Sequence, residues 1–445
     1  MVRIVIATIG SRGDLQPYCI LGQALAARGH DVAIATEKRL ESLVTNEFKL
    51  PFRCIVGDCC RMLFDPVMQA KLRTCSFFET LQIIGDFNKD IDPREIMASY
   101  VAALDGADIV VSSYLSFAET YCVAEAKQLR WVPVFLGNFQ FRTSEYPSWV
   151  IDGLTFGLRW LNRLSYSLLV RMMWQKQRAG INTSRQELLA LPSITSPEGI
   201  MGRLQEDDII IIHIAASTLF AGPKHKLPTD IDPTKVNYTG FLFPLNNPVG
   251  SSSLQTFIQE AKYDAVPVIY LGFGSMPTLE PLLLVQLIVQ VCQTAKCRCV
   301  FVSGWSSTSS PECQELLTTH SDLICNESSV SHPWLFPQMS CILHHAGLGT
   351  TAAALQSGIP QIPCPIMVDQ FYNAKKMVQL GVALTTIGSK QLTAVNVSKA
   401  VKAVLHNEKH VRMRAQEMGK YVTDESAGNL DRLCDQLLAA KAVFA

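Results

Sequence analysis

The chain has 445 residues, 48% of them hydrophobic and 18% charged, which calls for buried cores in more than one domain and leaves little room for long disorder. Its 39 basic and 39 acidic side chains cancel and form no basic cluster, so nucleic acid is a poor partner. Fourteen cysteines sit scattered in apolar runs, as at Cys54, Cys122, Cys292, Cys325 and Cys341, where they read as small hydrophobes of a reduced, intracellular protein.

Residues 2–10 read as a buried strand, without the basic region and cleavage site of a signal peptide. The strand runs into Gly10-Ser11-Arg12-Gly13-Asp14. A helix is expected from Gln16 or Pro17 to Ala27, with Gly29 placed to end it, then a strand over 31–36. This is a parallel strand-helix-strand unit. The alternation recurs as a strand at 108–112, a helix at 117–128 and a strand at 131–136. Between Phe139 and Ser193 the pattern changes to helices in which Trp149, Trp160, Tyr166 and Trp174 alternate with Arg159, Arg163 and Arg171. These either pack on the sheet with the arginines reaching outward, or cover an apolar ligand or membrane surface.

The stretch 243–253, rich in proline, asparagine and serine, reads as a linker. The theme then restarts with a strand at 267–271, the glycine turn Gly272-Phe273-Gly274-Ser275-Met276, a helix from about Glu280 to Ala295 and a strand at 299–302. Cys341–Leu343 is a further strand, followed by His344, His345 and a loop with glycines at 347 and 349. Thr350 and Thr351 open an alanine-rich helix that Gly358 is placed to stop. The last segment, 425–445, is a helix with no strand after it. The expected fold class is α/β, with two similar domains around a cleft, since open parallel sheets place ligands at the carboxyl ends of their strands. No apolar run reaches the length of a membrane span.

Several stretches carry chemistry. The loop at 344–350 presents unpaired N–H groups and the positive end of a helix dipole, suited to phosphate, with His345 placed to donate to the anion. Asp369 and Gln370, at another helix start, are suited to vicinal hydroxyls. Ser275 lies in a turn that is either a plain turn or a second anion cradle. Asp14, at a strand's carboxyl end, is either a helix cap or a proton acceptor. Asp90/Asp92 and Asp230/Asp232 match a two-carboxylate metal pattern but read as turn or capping residues. Neither Cys59-Cys60 nor Cys297/Cys299 has the spacing of a zinc site, so no metal is expected.

These residues resemble the nucleotide-sugar glycosyltransferases of the GT-B fold, in particular sterol glucosyltransferases and bacterial enzymes acting on antibiotic aglycones and lipids. The family's Gly-Ser-Arg-Gly-Asp-x-Gln-Pro start stands at 10–17, its Gly-Phe-Gly-Ser-Met turn at 272–276, and its Pro-His-Asp-Trp-Leu-Phe-Pro loop as Ser331-His332-Pro333-Trp334-Leu335-Phe336-Pro337. Its His-His-Gly-Gly-x-Gly-Thr-Thr loop stands at 344–351 and its Asp-Gln pair at 369–370. Ala346 replaces a glycine of that loop, Ser331 and Pro333 replace a proline and an aspartate, and Ala353 stands where plant enzymes carry a glutamate on the ribose.

The resemblance implies an acceptor-binding Rossmann-like domain at 1–243, a linker at 244–262, a donor domain at 263–424, and a helix at 425–445 returning to the first domain. It implies a metal-independent, inverting transfer of a hexose, glucose from UDP-glucose by analogy rather than from a TDP-sugar, to a hydroxyl of a sterol, polyketide, flavonoid or lipid. Asp14 would be the base. Ser275, His345, Gly347, Gly349 and Thr350 would hold the diphosphate, Val330, His332 and Trp334 the nucleotide base, and Asp369 with Gln370 the sugar. The UDP-sugar is co-substrate, and no cofactor is expected. The protein is expected in the cytoplasm, as a monomer or weak dimer, with peripheral membrane contact left open. Two other readings are a non-catalytic nucleotide-sugar or lipid binder, and a dinucleotide-dependent oxidoreductase. The second would use Glu37 on a ribose but lacks the glycine spacing.

Overall fold

A computed structural model describes residues 1–74, 79, 83, 90–137, 142–148, 157–206, 209, 211–215, 217, 219, 228–232, 237–244, 247–276, 279–304, 308–441 and 443–444. Its contacts divide the chain into two compact units, one comprising residues 1–61, 81–243 and 425–445, the other residues 62–80 and 244–424.

The first unit is built on a seven-stranded sheet: β1 (Arg3–Ala7), β2 (Asp31–Glu37), β3 (Phe52–Ile55), β4 (Ile109–Ser112), β5 (Arg130–Leu136), β6 (Ile212–Ile214) and β7 (Asn237–Tyr238). Their order is β3-β2-β1-β4-β5-β6-β7, and the pairings are parallel, with Val5 opposite Ala33 on one side and Val110 on the other. Central strands of such a sheet are covered on both faces, which is why β1 and β4 are apolar runs rather than alternating ones. Alternate residues of β1 feed two cores: Ile4 and Ile6 pack with the helix Arg12–Ala27, whereas Val5 and Ala7 pack with Met97, Tyr100 and Trp131.

The first helix starts earlier than the proline suggested. Ser11 is its N-cap, and Pro17 lies inside it. The side chains of Ser11 and Asp14 secure the first turn, and that local capping outweighs the helix-opening preference of proline. Among the described residues of the region expected as helices over 139–193, one long helix stands at Arg159–Glu187, and Trp149 lies outside the described residues. The chain's last helix, Asn429–Ala439, buries Leu433, Cys434 and Leu437 in the core formed by Ile4, Leu21 and Ile34. Arg28 donates to Asp431 and Asp435 at 2.7 Å each, holding the same helix from outside.

The second unit carries β8 (Val268–Gly272), β9 (Arg298–Val302), β10 (Ile324–Glu327), β11 (Cys341–His344) and β12 (Gln361–Pro363), in the order β10-β9-β8-β11-β12 and again parallel. In both sheets the first strand sits centrally and the fourth pairs with it on the side away from the second. Each sheet therefore has a topological switch point beside its first strand, where open parallel sheets bind ligands. The Ser-rich end of the stretch read as a linker caps a helix: Ser251 Oγ accepts from Leu254 N of Ser252–Tyr263, whose Leu254, Phe257, Ile258 and Ala261 are buried. Among the described residues no helix is long and apolar enough to cross a membrane, and thirteen cysteines are free thiols.

Candidate active site

In the first unit, the turn after β1 lies at the switch point. Asp14 Oδ2 accepts from Ser11 N at 2.7 Å and from Ser11 Oγ at 2.8 Å, so the capping role is realised. Both Ser11 donors fall on Oδ2. Desolvation raises the Asp14 pKa above its ordinary value, against the opposing hydrogen bonds of Ser11 and the more distant charge of Arg39. The unperturbed value of about 4 that the sequence suggests is therefore corrected upward, toward what a general base needs.

Gly10 has φ +131°, and a Cβ there would strike the Asp14 carboxylate, so this turn closes only with glycine. Behind it, Arg39 Nη2 donates to Gly10 O at 2.7 Å and Arg39 Nε to Asp58 Oδ1 at 3.1 Å, while Glu37 Oε2 accepts from Gly10 N at 3.4 Å. Glu37 Oε1 also accepts from Cys59 N at 2.6 Å, and the residue is 1% exposed. The carboxylate that an oxidoreductase would need on a ribose is thus spent on its own loop.

In the second unit, the turns after β8 and β11 meet at the corresponding switch point. Gly274 has φ +60°, and a Cβ on it would lie 3.1 Å from the His345 ring. The Gly272–Ser275 turn and the histidine loop therefore touch, and Ser275 sits half-buried beside them. His345 Nδ1 is buried and has no hydrogen-bond partner. Burial, reinforced by His344 and His332, depresses the His345 pKa to about 3, so the ring is neutral at physiological pH. His344 is a core residue, as the alternative reading allowed. It donates through Nε2 to Gln361 Oε1 at 2.9 Å and accepts at Nδ1 from Ala346 N, and burial lowers its pKa to about 4.

Gly347 is the N-cap of the helix Leu348–Ser357, and no side chain caps that end. Gly349 is exposed and Thr350 half-buried in the first turn, while the hydroxyl of Thr351 is buried without a partner. An uncapped helix start and a neutral imidazole nitrogen without a partner thus stand in one loop, a combination suited to an anion. Ala346, where the resemblance calls for glycine, has φ +64°, and Val368 has φ +52°. These are strained backbone positions in the loops after β11 and β12, and such strain clusters at ligand sites.

The other predicted residues lie around this point. His332 Nε2 is 3.2 Å from Tyr270 Oη and stacks on Phe336 with centroids 4.4 Å apart. Val330 and Trp334 pack at the edge of the same core. Asp369 is the N-cap of the helix Gln370–Gln379, and its Oδ2 accepts from Asn373 Nδ2 at 3.0 Å. The same Asn373 amide donates to Ala346 O at 3.0 Å, tying the Asp369-Gln370 corner to the histidine loop. Asn373 had no assigned role, although its spacing of four from Asp369 on a helix start is a signal for it. Gln370 Oε1 accepts from Ile366 N and Met367 N at 2.9 and 3.1 Å, so the amide oxygen is spent on the preceding backbone.

Of the carboxylate pairs read as turn or capping residues, Asp92 caps the helix Pro93–Ala103, whereas Asp230 ties its loop to a distant one. Asp92 accepts from Arg94 N, and Asp230 accepts from Thr143 Oγ1 and Ser144 N at 2.7 Å. Among the described residues no group of three or more His, Cys, Asp or Glu side chains is arranged to hold a metal.

In sequence and fold the chain is similar to known glycosyltransferases. Residues 4–108 match the glycosyltransferase family 28 N-terminal domain, and residues 328–429 match the erythromycin biosynthesis protein CIII-like C-terminal domain. The sterol 3-beta-glucosyltransferase of Komagataella phaffii is 28% identical over 430 residues, covering 95% of this chain and 33% of that protein. The corresponding protein of Candida albicans is 29% identical over 413 residues, covering 91% and 26%. The chain therefore spans about a third or less of the length of these relatives. Among solved structures, the glycotransferase of kitacinnamycin superposes with a TM-score of 0.67 at 16% identity, covering 98% of each chain. The glycosyltransferase VinC in complex with dTDP gives 0.62 at 17%, covering 98% of this chain and 100% of that one. The fold is GT-B, and the resemblance to sterol and antibiotic glycosyltransferases holds.

Proposed function

We propose, from this GT-B fold and these sterol glucosyltransferase relatives, that the chain is an inverting glycosyltransferase moving glucose from UDP-glucose to the hydroxyl of a lipophilic small molecule, a sterol first among them. The observation that carries the reading is the meeting of the Gly272–Ser275 and His344–Thr350 turns around an uncapped helix start, with His345 Nδ1 lacking a partner. A diphosphate supplies the acceptor oxygens that those groups lack.

In this reading the helix N-terminus, His345, Ser275 and Thr350 bind the diphosphate and stabilise the charge that develops on it as the glycosidic bond breaks. The Asp369 carboxylate and the Gln370 Nε2 group orient the sugar hydroxyls, and Val330, His332 and Trp334 border the base. Asp14 takes the proton from the acceptor hydroxyl, whose oxygen attacks the anomeric carbon on the face opposite UDP, so the configuration inverts. Because the donor groups named can offset the leaving group's charge, no metal is assigned a role, and transfer is expected to persist in EDTA.

Calorimetric titration tests the donor side. UDP should bind the wild type, and His345→Ala should weaken it about tenfold or more while leaving the fold intact. Unchanged UDP affinity in that variant would remove His345 from the site.

A further inference from the structure

The helix Arg159–Glu187 in the first unit has one face in the core, through Asn162, Ser165, Tyr166 and Trp174. The opposite side of its first turns is apolar and uncovered: Trp160 is 65% exposed, Leu164 42%, Leu168 53% and Met172 43%. At intervals of four these residues form a stripe about 18 Å long on one side of the helix. Four large apolar side chains in a row are not the scattered single hydrophobes that any surface shows.

The charge on the stripe's own helix is one-sided, and the neighbouring loop adds the acid Glu145 beside Arg159 at its first turn. The helix carries Arg159, Arg163, Arg171, Lys176, Arg178 and Arg185 against Glu187 alone. Only Arg185 is spent in the interior, on Glu125 at 2.6 Å. Beside the stripe, Arg142 pairs with Glu198, and Arg171 Nε lies 3.6 Å from the same carboxylate. Burial and the neighbouring charges of Arg163 and Arg171 hold the Arg142 pKa below its ordinary value, so this cluster carries more positive charge than its one acid neutralises.

We infer that this face docks on an anionic phospholipid bilayer, with Trp160, Leu164, Leu168 and Met172 entering the headgroup boundary and Arg159, Arg163 and Arg171 meeting lipid phosphates. An apolar stripe flanked by arginine and bearing almost no acid is the pattern of a helix lying in the plane of a membrane surface. A protein partner would be expected to meet mixed charge at its rim, whereas a leaflet of anionic lipid presents a continuous negative sheet. The inference goes beyond the proposed transfer and needs no turnover. It places the protein where lipophilic alcohols are dissolved.

The test is co-sedimentation of the full chain with phosphatidylcholine vesicles with and without phosphatidylserine, in low and high salt. Binding should require phosphatidylserine and fall with salt. Leu164→Glu/Leu168→Glu should abolish it with an unchanged melting temperature, since both positions are exposed, and Arg163→Gln should weaken it about fivefold. Absence of binding to anionic vesicles overturns the inference, as does equal binding to neutral ones. A self-associating chain that ignores vesicles and is dissociated by the double variant also overturns it, assigning the face to a second copy. UDP titration without vesicles reads the donor site separately, so failure here and failure of the proposed function are distinguishable.

Discussion

Asp14 is a carboxylate pulled two ways. Burial raises its pKa, and the two donors of Ser11 hold it down, with the positive charge of Arg39 acting more weakly in the same direction. Because a base must be deprotonated, kcat/KM should fall as pH drops through this raised pKa, giving an acid limb above the ordinary carboxylate range. Arg39→Gln removes a favourable positive charge and one of the bonds to the Gly10 carbonyl, so the limb should move to higher pH, with Arg39→Lys restoring part of the shift. A limb that does not move would separate Arg39 from Asp14. Asp14→Asn should lower kcat by about 100- to 10,000-fold with UDP affinity unchanged; near-normal turnover would remove Asp14 from its role. Ala346 is limited by its backbone. Held at φ +64°, it carries the left-handed cost of roughly 1–2 kcal/mol, part of which glycine returns through its greater freedom when unfolded. Ala346→Gly should stabilise the protein by up to about 1 kcal/mol, read as a higher melting temperature.

At the scale of elements, the glycine and histidine turns of the second unit were legible because their pattern is local. Glycines at 272, 274, 347 and 349 with paired histidines and threonines specify a turn and a helix start within a dozen residues. What stayed illegible joins residues far apart in sequence. Arg39 and Glu37 secure Gly10 from the end of β2. Asn373 reaches back 27 residues to Ala346, and no period or motif announces such a contact. Residue type also misled in places. Pro17 pointed to a helix start that the Ser11–Asp14 pair sets five residues earlier, and Gln370, read as a sugar ligand, spends its oxygen on the backbone of Ile366 and Met367. Gln370→Ala should therefore cost about 1–3 kcal/mol of stability in addition to weakening donor binding. Thermal melts with and without UDP-glucose separate the two effects. A loss confined to binding would return Gln370 to a ligand role alone.

At the scale of the whole molecule, two sheets with the same strand order each carry a glycine turn after the first strand, and this repetition was readable as strand, glycine turn and helix occurring twice. The path of the chain between units was less so. Residues 62–80 group with the second unit and 425–445 with the first. Deleting residues 429–445 should unfold the first unit selectively, since Leu433 and Leu437 alone bury area worth roughly 3–6 kcal/mol. Hydrogen exchange should show lost protection in β1 and β2 and retained protection in β8 and β11.

The proposed transfer is tested most directly by incubating the chain with UDP-glucose and a 3β-hydroxysterol in EDTA and determining the anomeric configuration of the product by NMR. Because the donor is α-linked, an inverting transfer that uses Asp14 as base predicts the β-glucoside. An α-glucoside, or absence of transfer to sterols and to other lipophilic alcohols despite tight UDP binding, would contradict it.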